Sequence, residues 1–182
     1  MSDCATAMQC LTFTLCSETY ALEVSTVREA LEMTAITAIP RSPAYLRGVI
    51  NVRGSVVPVV DLRLKLGISG TEKPVDTCAV VLMDVPVGDE SVTVGAVVDA
   101  VQEVVDFDCS TIQPPPRIGT SVRSSLLVGI AAKDDRFVMI LDIRKVFAEE
   151  EIAGMAAVEE NAEDQPTDQE VVTPAETQAP QT

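Results

Sequence analysis

One stretch of the chain carries the pattern that decides the fold: residues 45–63, with the sequence YLRGVINVRGSVVPVVDLR. Two apolar runs flank a polar segment that contains Gly54, and this arrangement predicts two β-strands joined by a turn. Asp61 follows the second run, where its side chain is suited to cap a short helix. Pro58 lies inside the second run. Because proline lacks a backbone N–H, we expect that strand to lie at a sheet edge or to carry a bulge.

Short valine-rich runs separated by polar turns continue along the body of the chain and predict an all-β fold. Three hairpins are predicted, with strands at 11–16 and 20–24, at 78–85 and 91–98, and at 125–132 and 136–141. Short helices are predicted after Asp61 and after Asp142, and Gly67 is a plausible stop for the first. The leucines of that first helix also alternate like a strand, so its assignment is the weaker of the two.

These elements occur twice along the chain. Ala21, Val24, Val27, Glu29 and Pro40 recur 74 positions later as Gly95, Val98, Val101, Glu103 and Pro114. Past a seven-residue insertion, Leu46, Gly48, Asp61 and Arg63 recur 81 positions later as Leu127, Gly129, Asp142 and Arg144. Each copy has roughly 65 residues, a size at which an isolated core is marginal. We therefore expect two small β-barrels or curled sheets that share an interface, with or without exchanged strands, and a groove between them suited to a partner helix or loop.

The composition excludes several classes of function. The chain has 28 acidic and 13 basic residues, a formal charge of −15 and no histidine. Without histidine there is no Ser-His or Cys-His dyad and no His-ligated metal, and the excess of acid argues against nucleic-acid binding. No phosphate-binding glycine motif is present, and the paired carboxylates Asp134 and Asp135 fall in a predicted turn. We expect no catalytic residue, no cofactor and no metal site, and an enzyme is the most remote alternative.

The negative charge is concentrated at the end of the chain. Ten acids and no base lie in residues 149–182, which leaves 18 acids, 13 bases and a charge of −5 in the body. Residues 155–182 contain no aromatic residue and are rich in Gln, Thr, Pro and Glu, so they are predicted to form a disordered acidic tail.

Nothing in the sequence directs the chain to a membrane. The N-terminal segment has no basic n-region, and the apolar runs are far shorter than the roughly 20 residues of a spanning helix. The five cysteines are odd in number and form no Cys-x-x-Cys pair, which is typical of reduced thiols. We expect a cytoplasmic protein without direct membrane insertion.

Arg53 is the residue that the pattern itself suggests for recognition. It lies in the predicted turn between two apolar strands, and its counterpart 81 positions later is Asp134, so the turn does not itself require a positive charge. Two interpretations remain open at this point. Arg53 is either a solvated turn residue or a recognition residue presented on a rigid scaffold.

The chain resembles a known family. Its motifs are GVINVRGSVVPVVDLR at 48–63, VRE at 27–29, PAYL at 43–46, VGAVVD at 94–99 and IQPPP at 112–116. Together they closely resemble the CheW family of bacterial chemotaxis coupling proteins, over about residues 9 to 147. The resemblance implies a CheW-like domain at 9–148 made of two intertwined SH3-like five-stranded β-barrels, with repeats at about 9–67 and 77–148.

The resemblance also implies a function and site residues. CheW-like proteins are non-enzymatic adaptors that couple the cytoplasmic tips of methyl-accepting chemotaxis proteins to the histidine kinase CheA. The receptor tip docks between the barrels, and the regulatory domain of CheA contacts their outer faces. By position, Val27, Glu29 and Arg53 match partner-binding residues of the family, although core packing is an equally good interpretation of Val27. Cys78 falls where the family usually has an aliphatic residue on the receptor side, and cysteine packs as a small hydrophobe.

Other interpretations stay open beside the chemotaxis adaptor. One is a CheW-like regulatory module of another CheA-type pathway that does not control motility. A CheW-like domain fused to a receiver is opposed by the lack of a receiver-like pattern after residue 148, and a detached kinase regulatory domain by the lack of a phosphotransfer histidine or ATP-binding segment.

Overall fold

The computed structural model describes residues 6–70, 74, 77–117, 122–148 and 150–155. The strands within these residues are β1 (Ala7–Leu15), β2 (Glu18–Glu23), β3 (Val27–Glu32), β4 (Leu46–Val52), β5 (Ser55–Asp61), β6 (Ala79–Val87), β7 (Glu90–Val98), β8 (Ala100–Asp108), β9 (Leu127–Lys133) and β10 (Arg136–Leu141). The helices are α1 (Leu62–Leu66) and α2 (Ile143–Val146), and residues 150–155 are also helical. Single 3₁₀ turns occur at Val24–Thr26, Cys109–Thr111 and Ser124–Leu126.

The strands form two five-stranded sheets that each contain strands from both halves of the chain. The first sheet has the order β8-β1-β2-β10-β9, and the second has the order β3-β6-β7-β5-β4. The two sheets have the same connectivity with the halves of the chain interchanged. The duplicated all-β fold predicted from the sequence is confirmed, and the strands are exchanged between the two barrels.

Strand pairing reproduces the register of the sequence repeat. Val59 of β5 pairs in parallel with Gly95 of β7, and Ile140 of β10 pairs in parallel with Ala21 of β2. The β5 and β10 positions differ by the 81-residue offset, and the β7 and β2 positions differ by the 74-residue offset. The two halves are therefore structural copies at the level of single residue pairs.

Two glycines allow the segment that follows one outer strand to form a close antiparallel bridge with the other outer strand. Thr37 and Val49 exchange backbone hydrogen bonds of 2.9 and 2.8 Å, and the Thr37 carbonyl occupies the space of a Cβ on Gly48, whose φ is +144°. Gly129 is approached in the same way by the Gln113 carbonyl. Any side chain at Gly48 or Gly129 would push this bridging segment away.

The helix caps are as predicted. The side chain of Asp61 accepts the Arg63 N–H at 3.0 Å, and that of Asp142 accepts the Arg144 N–H at 3.1 Å. Gly67 ends α1 in the left-handed conformation, with a φ of +69°.

The prediction for the strand that contains Pro58 is wrong. β5 lies between β7 and β4 rather than at an edge, and the bulge in the β4–β5 pair lies in β4, between Leu46 and Gly48. Proline is tolerated because β7 pairs with β5 only from Val59 onward. At Pro58 itself, β5 therefore has β4 as its only paired neighbour.

Most strands are buried on both faces, which explains the continuous apolar runs. The largest apolar cluster contains buried residues of both sheets, and we call it the inter-barrel core. Two smaller clusters fill the individual barrels. Along β5, Val59 lies in a barrel cluster and Val60 in the inter-barrel core, and along β10 Ile140 and Leu141 divide in the same way. The two barrels therefore share the inter-barrel core, which is larger than either barrel cluster.

The folded part extends past residue 148. Ile152 and Met155, in the helical segment 150–155, are 0% and 3% exposed and belong to the inter-barrel core. Glu151 accepts a hydrogen bond from Nζ of Lys65 in α1 at 2.5 Å, which holds the segment in place. The assignment of Met155 to the tail is therefore wrong. The rest of the predicted tail, residues 156–182, lies outside the described residues.

Candidate partner-binding surface

Arg53 and Glu29, two of the sequence-predicted site residues, form a bidentate ion pair. Nη1 of Arg53 donates to Oε1 of Glu29 at 2.6 Å, and Nη2 donates to Oε2 at 2.9 Å. This hydrogen bonding raises the pKa of Arg53 above its usual value. The Arg53 side chain is 76% exposed and that of Glu29 is 24% exposed, so the pair is presented at the surface.

Local backbone geometry positions both partners. Arg53 has a φ of +51° in the tight turn between β4 and β5, and Asn51 Oδ1 accepts the Gly54 N–H at 3.0 Å. Glu29 follows a register shift in the β3–β6 pair at Arg28. Because β3 and β4 are the two outer strands of the second sheet, the Arg53–Glu29 pair links its opposite edges.

The first barrel has an equivalent ion pair. Glu103 is the counterpart of Glu29, and it pairs with Lys133, which lies one position before the counterpart of Arg53. The equivalent β9–β10 hairpin thus supplies the cation, but from one residue earlier than the β4–β5 hairpin does. The turn position equivalent to Arg53 is Asp134, as the sequence comparison showed, and the cation of the first barrel comes instead from Lys133 at the end of β9. Arg53 therefore has a structural role in closing the barrel as well as an exposed surface.

A second arginine lies beside Arg53, and the sequence analysis did not single it out. Both arginines line a cavity of about 310 Å³. Arg28 Nη1 donates to Thr93 Oγ1 at 3.2 Å, and Arg28 Nε lies 3.4 Å from Asp84 Oδ2. Each guanidinium is therefore held by a carboxylate, and the surface offers oriented N–H donors without a large excess of charge. The sequence offered one clue to Arg28: it lies between Val27 and Glu29, in a strand where polar and apolar residues alternate.

Val27 lies at the rim of the inter-barrel core. It is half-buried and packs against that core, as do Val24 and Val101, the last being its counterpart in the second repeat. Val87 and Val92 of the β6–β7 hairpin also pack partly exposed against it. We call these five residues the valine rim. Core packing and exposure to a partner are both compatible with this position.

Cys78 lies below the protein surface. It is 5% exposed and packs in the cluster that fills the second barrel, among residues that include Val57 and Val80. Its Sγ is 3.6 Å from the Pro74 carbonyl oxygen. This burial favours packing behind the surface over direct contact with a partner. Within the described part of the chain, no group of three or more Cys, Asp or Glu side chains is placed to hold a metal ion.

Phe137 is an exposed aromatic residue that the sequence analysis missed. Its residue exposure is 72%, and it borders a cavity of about 840 Å³ that Pro114 and Pro116 also line. A large apolar side chain beside a concave surface is typical of a protein contact. The sequence offered little reason to select Phe137, because the equivalent residue in the first repeat, Val56, is an ordinary strand valine.

A buried ion-pair network lies beneath α1. Arg47 donates from Nε and Nη2 to Oδ2 of Asp61 at 3.1 and 2.6 Å, and Arg63 donates to both carboxylate oxygens at 3.2 Å. Burial alone would raise the pKa of Asp61, but these hydrogen bonds outweigh it and hold the pKa below its usual value. Asp99 accepts the Cys16 N–H at 2.8 Å and lies 3.6 Å from Arg63. The network thus links α1 to the β1–β2 turn of the other sheet.

Comparison with known proteins agrees with this architecture. Residues 9–151 match the family model described as a CheW-like domain. The chain belongs to the CheW family. The chemotaxis protein CheW of Klebsiella aerogenes is 33% identical over 143 residues, which cover 79% of this chain and 83% of that protein. The chemotaxis protein CheW of Rhizobium meliloti is 32% identical over 141 residues, covering 78% and 88%.

A solved structure of a CheW protein shares the fold. The crystal structure of the scaffolding protein TtCheW from Thermoanaerobacter tengcongensis superposes with a TM-score of 0.70 at 30% identity, covering 83% of this chain and 94% of that chain. The two SH3-like subdomains expected from the resemblance are confirmed. As a CheW-family member the chain is a chemotaxis adaptor, and the interpretation as a module of a non-motility pathway is not favoured. Among the described residues, no helix is both long and apolar enough to cross a membrane.

Proposed function

We propose that the chain couples methyl-accepting chemotaxis receptors to the histidine kinase CheA in the cytoplasm, and that it catalyses no reaction. The observation that carries this proposal is the Arg53–Glu29 pair, exposed where the second barrel closes and flanked by a cavity of about 310 Å³. A fixed guanidinium and carboxylate at a surface determine partner choice and register more than raw affinity.

The valine rim is the proposed contact for the receptor tip. An amphipathic helix lays its apolar face against a hydrophobic groove, and the rim supplies half-exposed side chains around one shared core. Val27 lies two residues before Glu29 on the same strand. A receptor helix seated on Val27 would therefore lie near a charged border.

The outer face of the first barrel is the proposed contact for the regulatory domain of CheA. Phe137 supplies an exposed aromatic anchor, and the cavity of about 840 Å³ beside it accommodates a loop or side chain of a partner domain. Coupling then needs no covalent step. A receptor state that favours one kinase conformation shifts the kinase equilibrium by its differential affinity for the assembly.

The test is co-sedimentation of the full chain with the cognate kinase and a receptor signalling tip. Wild type should form a ternary complex and support receptor control of kinase activity. Arg53→Glu and Val27→Asp should each weaken the complex, whereas Arg123→Glu should not, because it changes an exposed arginine outside the valine rim and outside the cavities beside Arg53 and Phe137. A wild-type chain that binds neither partner would overturn the proposed function. If both test variants formed the complex and supported receptor control of the kinase as wild type does, only the site assignment would be overturned.

A further inference from the structure

At the position equivalent to the buried network around Asp61, the structure has a cavity instead of a network of ion pairs. The offsets of 74 and 81 residues make Ser25, Val128, Asp142 and Arg144 the equivalents of Asp99, Arg47, Asp61 and Arg63. All four counterparts line a single cavity of about 280 Å³. The cavity therefore lies at the position equivalent to the network of ion pairs around Asp61.

Backbone geometry is the same at the two sites. The β4–β5 register shifts at Arg47, between Leu46 and Gly48, and the β9–β10 register shifts at Val128, between Leu127 and Gly129. A bulge directs its side chain away from the regular alternation. At Arg47 the bulged residue reaches the helix-capping Asp61, whereas the shorter Val128 leaves the corresponding space open.

Asp142 has fewer side-chain donors around it than Asp61. Asp142 accepts one hydrogen bond from the Arg144 backbone, and Nζ of the exposed Lys145 lies 3.4 Å from its other oxygen. Asp61, by contrast, receives side-chain hydrogen bonds from two guanidinium groups. Glu23 and Arg144 also line the cavity, so the lining residues carry two carboxylates and one guanidinium.

We propose that this cavity binds an arginine side chain of a partner protein, with the guanidinium on Asp142 as Arg47 lies on Asp61. A guanidinium has the planar donor geometry that a carboxylate accepts, and Met8 and Val128 line the cavity where the methylene groups would pass. The residues from 149 onward cannot supply this group because they contain no base. The site goes beyond the receptor and kinase contacts proposed above, and neither partner is needed to test it.

The first experiment builds the arginine into the chain. Val128→Arg should raise the melting temperature by about 2 °C, the shift expected for one added surface-accessible ion pair in a chain of this size. Val104→Arg is the matched control, because it changes an exposed valine on the other outer strand of the same sheet. The gain should disappear in an Asp142→Asn background, since asparagine still caps α2 but carries no charge. No gain over the control, or a gain that persists without Asp142, contradicts the proposal.

The second experiment adds the ligand group from solution. N-acetyl-arginine amide, titrated into the full chain, should give saturable shifts of the backbone amide signals of Ser25, Val128 and Asp142 in heteronuclear NMR spectra. Asp142→Asn and Val128→Arg should each reduce the apparent affinity at least five-fold. N-acetyl-glutamate amide should give no saturable shift. The absence of shifts with the arginine probe, or a stronger response to the glutamate probe, would show that the cavity does not select a guanidinium.

Discussion

Glu29 on β3 and Arg53 in the β4–β5 turn are joined by two side-chain hydrogen bonds that link the outer strands of one sheet. The same pair is exposed beside a cavity. A change at either residue therefore alters both the closure of the barrel and the surface offered to a partner. Single substitutions cannot separate these two roles.

A charge swap separates closure from recognition. Arg53→Glu places two carboxylates together, so it should loosen the β3 and β4 edges and reduce kinase control. The double variant Arg53→Glu with Glu29→Arg restores an ion pair with reversed polarity. We expect it to recover amide hydrogen-exchange protection in β3 and β4 without recovering kinase control. Recovery of both would assign the pair to the fold alone.

Truncation should locate the end of the folded part. Removal of residues 156–182 should leave the free energy of unfolding unchanged within about 0.5 kcal/mol, because the buried Ile152 and Met155 are retained. Removal of residues 149–182 should lower it by about 3–6 kcal/mol, since two fully buried side chains leave the core. Urea denaturation measures both. Equal stability of the two truncated chains would contradict the packing of segment 150–155.

Asp61 should make the free energy of unfolding depend on pH in the acidic range. Its folded pKa lies below the unfolded value, so its contribution is fully present above the ordinary Asp pKa of about 4 and is lost as the pH falls through the folded pKa. Asp61→Asn should cost about 3 kcal/mol at neutral pH, because it removes the buried carboxylate that Arg47 and Arg63 share.

Denaturant unfolding between pH 7 and pH 2 checks this prediction. Below pH 4, the free energy of unfolding should fall less steeply in Asp61→Asn than in wild type. Asp108→Asn is the control, because Asp108 is an exposed carboxylate that accepts hydrogen bonds from Ser110 of its own turn. Parallel curves for wild type and Asp61→Asn would contradict the assignment.

Thiol reactivity should follow burial. Burial raises the pKa of Cys10 to about 12, and Cys78 is buried, whereas Cys109 is exposed. At pH 8, iodoacetamide should modify Cys109 at least ten-fold faster than Cys10 or Cys78, because the reactive species is an accessible thiolate. Mass spectrometry of tryptic peptides measures each rate. In urea the three rates should converge, and rapid native labelling of Cys10 would be inconsistent with its placement.

The sequence contained enough to predict the duplication and the pairing of equivalent residues. The offsets that relate Ala21 to Gly95 and Val59 to Ile140 are the offsets of the strand ladders. The sequence could not show that β1 and β2 pair with strands of the second repeat. The positions of the strands along one repeat are the same whether β1 and β2 pair within that repeat or with the other one. The sequence analysis also missed the ion pair of Glu103, because the cation moved by one position to Lys133.

The site was predictable only in part, for similar reasons. Glu29 and Arg53 were both selected, but their contact depends on the bulge at Arg28, which leaves no clear signature in one sequence. Cys78 was selected by position, and its burial emerges only from the packing of the barrel. Ile152 and Met155 were not selected because the surrounding segment is acidic. Their spacing of three residues nevertheless places them on one face of a helix.

The exchange of strands bears on the origin of the molecule. Neither repeat by itself contains the five strands of one sheet in a single piece, so half of the chain expressed alone would leave both of its hairpins without their partners. A single-repeat ancestor could complete sheets of this exchanged kind by trading hairpins with a second identical subunit. The present chain thus has the organisation of a domain-swapped homodimer that gene duplication joined into one polypeptide, and its two halves were afterwards free to diverge.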